Sequence, residues 1–255
     1  MSSNIWTRGV LSSDAGPVTG RCWRLVEAQH HVSTAKLTDS RHDQDRLERL
    51  LEDSKPSVPE ECRDLNYLLF TPFRYGAPYP KGSRFRRAGV TPGVYYSSDQ
   101  PKTAATEMAF HRLLFFAESP RTPWPSNPGE YTAIAADYGT GRSVDLMAAP
   151  FNRTVSTWTH PTDYGPCQKF ADDCRAEGID IIKYQSARFP EPAVNVAILR
   201  CRAFARPDIL ERQTWRIQLN HSGARVICEF PKLVLDFDRA AFAADPRIAA
   251  LNWDR

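Results

Sequence analysis

No apolar run in this 255-residue chain approaches the ~20 residues a membrane helix needs. Met1 to Gly20 is polar and lacks the apolar core of a signal peptide. Charge of one sign is scarce as well: 33 basic against 30 acidic residues leave a formal +3. That balance gives no general case for nucleic acid or a membrane surface as partner. The six cysteines (Cys22, Cys62, Cys167, Cys174, Cys201 and Cys228) include no C-x-x-C pair, and in a chain of this length they fit reduced thiols. There is no H-E-x-x-H and no G-x-S-x-G, which removes the usual signs of a zinc protease or a serine hydrolase. Gly139-Thr140-Gly141-Arg142-Ser143 is too short for a phosphate loop and lacks its lysine, so it reads as a turn. Repeats and low-complexity tracts are also missing. A soluble, cytoplasmic protein is the expectation.

A hydrophobic fraction of 42% supports a sizeable core, and 20 prolines imply many turns and irregular loops. Residues 1–20 read as a flexible arm and 21–255 as a single domain. Strands are expected at Cys22–Glu27, Gly93–Ser97, Tyr131–Asp137, Ser143–Leu146, Ile179–Tyr184, Ala193–Cys201, Arg225–Phe230 and Lys232–Phe237. Helices are expected at Thr38–Asp53, at Pro101–Ala117 with proline in the first turn, at Pro166–Glu177 stopping at Gly178, and in the tail after Arg239. Leu65–Phe73 fits strand or helix equally. Strands and helices mix without strict alternation, which favours an α+β fold over a doubly wound sheet.

Four places hold residues that a packed core would not choose. Glu107 shares its helix face with Ala104, Phe110, His111 and Leu114. A carboxylate at such a core edge must be paired, hydrogen-bonded or protonated. Gly82-Ser83-Arg84-Phe85-Arg86-Arg87-Ala88-Gly89 sets three arginines between glycines. Guanidinium forks suit phosphate oxygens, and glycine lets backbone approach. Arg84 beside Phe85 is the stronger ligand candidate, Arg86 and Arg87 the stronger solvent pair, and Arg74 a further phosphate candidate. Tyr95 and Tyr96 point to opposite faces of one strand, so one can fill the core while the other faces a cleft. Ser186 ends a strand next to Arg188, and Arg24 sits in the apolar Trp23-Arg24-Leu25-Val26. Taken singly, each has a plainer reading as ion pair, solvated loop, core ring or turn. Taken together they suit an anionic ligand with a flat base, a dinucleotide such as NAD. A metal hydrolase built on Glu107 and His111 at i, i+4, with His160 and Asp163, is the competing enzyme class.

In order and spacing these segments resemble the RES family, named for an arginine, a glutamate and a serine. Trp23-Arg24-Leu25-Val26 is similar to the family's opening aromatic–arginine strand, and Gly82-Ser83-Arg84-Phe85-Arg86 to its Gly-Gly-Arg-Trp-Asn segment. Tyr96 precedes Glu107 by the family's eleven residues. Ile181–Ser186 with Asn195-Val196-Ala197 is similar to its late serine and asparagine strands. The resemblance spans roughly residues 21–200. Ser83, Phe85 and Arg86 depart from the pattern, and residues around 36–76 form an insertion. It implies an ADP-ribosyltransferase-like fold, a mixed or split β-sheet core with flanking helices. It implies cleavage of the nicotinamide–ribose bond of NAD by phosphorolysis or hydrolysis, or ADP-ribosyl transfer to a protein. A non-catalytic module binding NAD or ADP-ribose is the further alternative. Glu107, Arg84, Tyr96 and Ser186 would be catalytic, and Arg24, Arg74, Phe85, Tyr95 and Arg188 would bind the dinucleotide. NAD would be substrate, with phosphate as a candidate co-substrate and no metal. Most family members are toxins, so an Xre-like antitoxin is the implied partner; self-association is left open.

Overall fold

The structure is a computed structural model that describes residues 8–28, 32–75 and 82–255. In chain order it contains α1 (Arg8–Asp14), β1 (Gly16–Glu27), α2 (Val32–Ala35), α3 (Arg41–Asp53), α4 (Tyr67–Arg74), β2 (Tyr95–Ser98), α5 (Pro101–Glu118) and β3 (Gly129–Asp145). There follow α6 (Val155–Trp158), α7 (Gly165–Ala176), β4 (Ile181–Gln185), β5 (Val194–Ile198), β6 (Glu211–Asn220), β7 (Gly223–Cys228), β8 (Leu233–Asp238) and α8 (Pro246–Ala249). None of the described helices is long and apolar enough to cross a membrane.

The strands form one mixed sheet of order β1-β2-β5-β4-β3-β6-β7-β8, in which β1 also pairs with β3. The pairings β1–β2–β5–β4–β3 therefore close on themselves, and β6–β7–β8 extend outward as an antiparallel meander. Only β3 and β4 run parallel, joined through α7; the other pairs are antiparallel. This is the α+β architecture the sequence favours, a mixed sheet with helices on its faces. Alternation in β5 sends Val196 and Ile198 to a core shared with Leu69 and Phe73 of α4. Ala197 points the other way, to a core with Phe170 and Cys174 of α7. Helix α5 packs Ala105, Ala109 and Leu113 against Trp215, Ile217 and Val226 of the meander.

Several expectations need correction. The supposed arm over residues 1–20 is, from Arg8 on, helix α1 and the first half of β1, because Val18, Thr19 and Gly20 pair with Thr140, Gly139 and Tyr138. For the same reason the two strands expected at Tyr131–Asp137 and Ser143–Leu146 are one: Gly139 between them is a ladder residue and Gly141 sits at an irregularity within the strand, not in a turn. Leu65–Phe73 is mostly helix, and the strand β6 arises where none is expected. Helix α7 does end at Gly178, whose left-handed φ of 70° lets Ile179 N–H cap the Cys174 carbonyl. Cys62 and Cys201 are not free thiols but a disulfide, with Cα atoms 5.5 Å apart and a sequence separation of 139. That separation leaves no short spacing to read. The other four cysteines are buried. Within the expected loop at 76–93, residues 76–81 lie outside the described residues. At its end Gly93 allows α4 to close on β2, since a Cβ there would collide with the Pro72 carbonyl.

Candidate active site

The acid wall grows from three neighbouring strands. Tyr184 on β4, Asn195 on β5 and Ser98 on β2 are cross-strand partners in one row, so their side chains share a face. The connection from β2 to α5 is two residues long, and Pro101 starts the helix at once. That brings Glu107, two turns into α5, down over the row. Ser98 Oγ donates to Asn195 Oδ1 at 2.6 Å, which fixes the amide so that Nδ2 donates to Glu107 Oε1 at 2.7 Å. Ser186 Oγ donates to the same oxygen at 2.6 Å. Its own lone pairs are taken by the backbone N–H groups of Arg188 and Phe189, at 3.2 and 3.1 Å, so its proton points to the acid. Both neighbours of Oε1 are thus donors. Oε2 accepts no bond from the described residues. The Tyr184 phenol is held well above its ordinary pKa, by burial first and the Glu107 charge second.

The opposite wall is the arginine loop. Ser83 and Arg86 exchange both backbone hydrogen bonds, at 2.8 and 3.1 Å. Gln168 of α7 donates to both of their carbonyls, at 3.1 Å each. Phe85 is wholly buried among α7, β4 and β5, a placement contributing about 2–3 kcal/mol. With Phe85 as plug, its neighbour Arg84 is left beside the cleft, donating to the Trp158 carbonyl at 2.6 Å and lying over the Tyr164 ring. Tyr96 closes the loop to the sheet: its hydroxyl accepts from Phe85 N–H at 2.9 Å and shares a 2.8 Å bond with Ser83 Oγ. Burial raises the Tyr96 phenol, and the Ser83 bond opposes the rise.

Between these walls lies a cleft of about 560 Å³. Glu107, Arg84, Tyr96, Arg24 and Arg188 all line it, together with Ser98, Asn195 and Tyr184, and Ser186 reaches it through Glu107. Arg24 donates to the Tyr96 carbonyl at 3.0 Å and lies over the Tyr95 ring. It forms no ion pair with a described carboxylate, and burial lowers its pKa. Arg188 is already engaged: its guanidinium bonds the Pro161 carbonyl at 2.7 Å and Asp245 at 3.1 Å, and sits 3.6 Å from the Phe110 centroid. Burial alone would raise Asp245, but the bonds from Arg247 and the charges of Arg247 and Arg188 hold it below its ordinary value.

Three expected ligand residues do not reach the cleft. Tyr95 faces the α4 core, edge-on to Phe204, because strand alternation gives the cleft to Tyr96. Phe85 is the plug just described. Arg74 lies across α4, bonded to Glu52 at 2.5 Å and to the Pro56 carbonyl. Arg86, expected in solvent, is buried and donates to the Thr91 and Tyr75 carbonyls. Asn195, Ser98 and Tyr184 belong to the site although the sequence names none of them a site residue; Asn195 and Tyr184 enter only within the strand segments that resemble the family, and a polar residue at a buried position of Val194-Asn195-Val196 is the local signal for the first. His111 is exposed at the rim of the cleft, beside Glu107. Among the described residues the one group of donor atoms close enough for a metal is Glu61, Cys62 and Cys201, and its two cysteines are bonded to each other.

Comparison with known proteins gives two findings. The family model of the RES domain matches residues 58–220, more than half of the chain, and leaves Trp23-Arg24-Leu25-Val26 outside the match. A chain in the crystal structure of the M. tuberculosis MbcT–MbcA toxin–antitoxin complex is similar at a TM-score of 0.46 and 12% identity, over 84% of this chain and 94% of that one. That likeness is too distant to carry residue roles. No curated protein matches the sequence.

Proposed function

Because the chain belongs to the RES domain family, we propose that it cleaves the nicotinamide–ribose bond of NAD and acts as the growth-inhibiting member of a toxin–antitoxin pair. The observation that carries this reading is the polarity of the Glu107 site. Two donors hold one carboxylate oxygen and leave the other for the cleft, with Arg84 and Arg24 lining the same space. In this reading the pyrophosphate lies against the arginines and the ribose against Glu107. The bond between the anomeric carbon and the pyridinium nitrogen breaks with its electron pair going to nitrogen, so nicotinamide leaves neutral. Glu107 accepts a hydrogen bond from a ribose hydroxyl and faces the positive charge that develops on the sugar. Tyr96 supplies a flat wall for ring or ribose. A phosphate oxygen, or a water that then gives up a proton, forms the new bond to the anomeric carbon. Nicotinamide is already a fair leaving group, so positioning and preorganised charge supply most of the rate.

The test is to incubate the purified protein with NAD, with and without phosphate and with and without chelator, and to follow free nicotinamide. Release that requires phosphate identifies phosphorolysis; release without it, hydrolysis. Label from NAD retained on protein identifies ADP-ribosyl transfer. NAD that binds but stays intact makes the cleft a binding module. Loss of release with chelator moves the chemistry to a metal. Co-expression with an Xre-like neighbour should relieve growth inhibition if the pair is real.

A further inference from the structure

A second cavity of about 370 Å³ adjoins the first, and Arg24 lines both. Its other walls come from Val26 of β1, from the end of α3, which precedes the family match, and from α4, which lies within it. Its charge is uneven. Lys55 and Arg74 face it with a single carboxylate, Glu52, which already takes bonds from both, at 2.9 and 2.5 Å. Arg24 adds a third cation with no carboxylate of its own. Three positive charges against one negative leave a net attraction for an anion, and the low exposure of Arg74 strengthens it by excluding water. The rings of Tyr67 and Tyr75, 48% and 37% exposed, lie at this cavity without an aromatic partner among the described residues. Exposed rings beside a cationic hollow suit a flat base that carries phosphate.

We propose that this second cavity receives the adenosine half of the dinucleotide, with Arg24 at the crossing where the pyrophosphate passes from one cavity to the other. The proposal rests on the NAD reading given above and extends it: the acid cleft holds the nicotinamide half, and the segment from Glu52 to Tyr75 selects the other end. That segment is then a specificity element. It would favour a nucleoside diphosphate with a purine over nicotinamide mononucleotide alone.

Calorimetric titration of wild-type protein with NAD, AMP and nicotinamide mononucleotide tests this, alongside Thr71→Trp, which fills the cavity from an exposed helix position, and Lys55→Glu, which reverses an exposed charge. Both substitutions should weaken AMP at least ~10-fold, as expected for the loss of one stacking or phosphate contact of about 1.4 kcal/mol. They should leave nicotinamide mononucleotide within ~2-fold. AMP that binds wild type but is indifferent to both variants overturns the assignment, as does NAD binding without measurable AMP binding. Failure of NAD itself to bind overturns the NAD reading along with it. Circular dichroism of both variants, whose sites are exposed, separates lost binding from lost fold.

Discussion

Two arginines, Arg188 buried and Arg24 half-buried, line the same cleft under opposite conditions. Arg188 is closed in: Asp245 and the Pro161 carbonyl take its N–H groups, and Phe110 covers its plane. Arg24 has one carbonyl and one ring, and no carboxylate. A buried charge with a full set of partners is part of the fold, and removing its counter-ion leaves it stranded. A buried charge without a counter-ion is a standing cost to the fold and an attraction for whatever anion arrives. The contrast separates residues that hold the cleft open from residues that wait for a ligand, although sequence alone presents both as arginine beside apolar residues.

The contrast breaks first at Asp245. Its side chain is fully buried and Arg188 is nearly so, so Asp245→Ala should destabilise the protein by about 3–5 kcal/mol, read as a shift in the urea midpoint. A shift below ~1 kcal/mol would show that Arg188 is no more tied down than Arg24. Glu107→Gln should keep the urea midpoint and lower NAD turnover at least ~10²-fold, the scale of one transition-state contact. Wild-type turnover in that variant removes Glu107 from the chemistry. Ser186→Ala takes away one of two donors to Oε1 and should cost about 1.5–3 kcal/mol in kcat/KM, with the remaining Asn195 bond preserving part of the site. Arg24→Met should alter stability by under about 1 kcal/mol, since a hydrophobic replacement of an uncompensated charge is close to neutral. The same variant should weaken NAD binding at least ~10-fold, which calorimetry would read.

How much of this was legible follows from the range of each interaction. Glu107 could be read because a carboxylate on a helix face of Ala104, Phe110 and Leu114 is a local anomaly. Tyr96 and Glu107 could be linked because a two-residue connection and a proline fix the start of α5. Strand alternation said that Tyr95 and Tyr96 part company, but not which one meets the cleft; α4, which lies some twenty residues upstream, decides that by covering Tyr95. Arg74 looked like a free cation because Glu52 is 22 residues away. Arg188 and Asp245 are 57 residues apart, and Cys62 and Cys201 are 139 apart. Nothing in a local window marks such pairs. Gly139 and Gly141 carried a turn signal that pairing of Gly139, Thr140 and Ser143 with β1 overrode. The chemistry of the acid wall was therefore readable, while the partners that quiet the other charges were not.

The smallest effect concerns His111, which stands beside Glu107 at the rim of the cleft. Its side chain is exposed at the rim, but the protein packed along one side of the ring displaces enough water to lower its pKa; the Glu107 charge partly opposes this, while Arg188 and Arg247 add to the lowering. The folded protein therefore binds a proton on His111 less readily than the unfolded chain, whose histidine titrates near ~6.5. For a folded pKa below the unfolded one, the stabilising contribution is complete above the unfolded value and is lost as pH falls through the folded value. Urea midpoints measured between pH 7.5 and 5 should fall on acidification, and His111→Gln should flatten part of that fall while leaving the pH 7.5 midpoint nearly unchanged. Acid sensitivity identical in the two proteins would mean that His111 is solvated like a surface histidine. The rim would then be more open than the walls on which Arg188 and Glu107 are fixed.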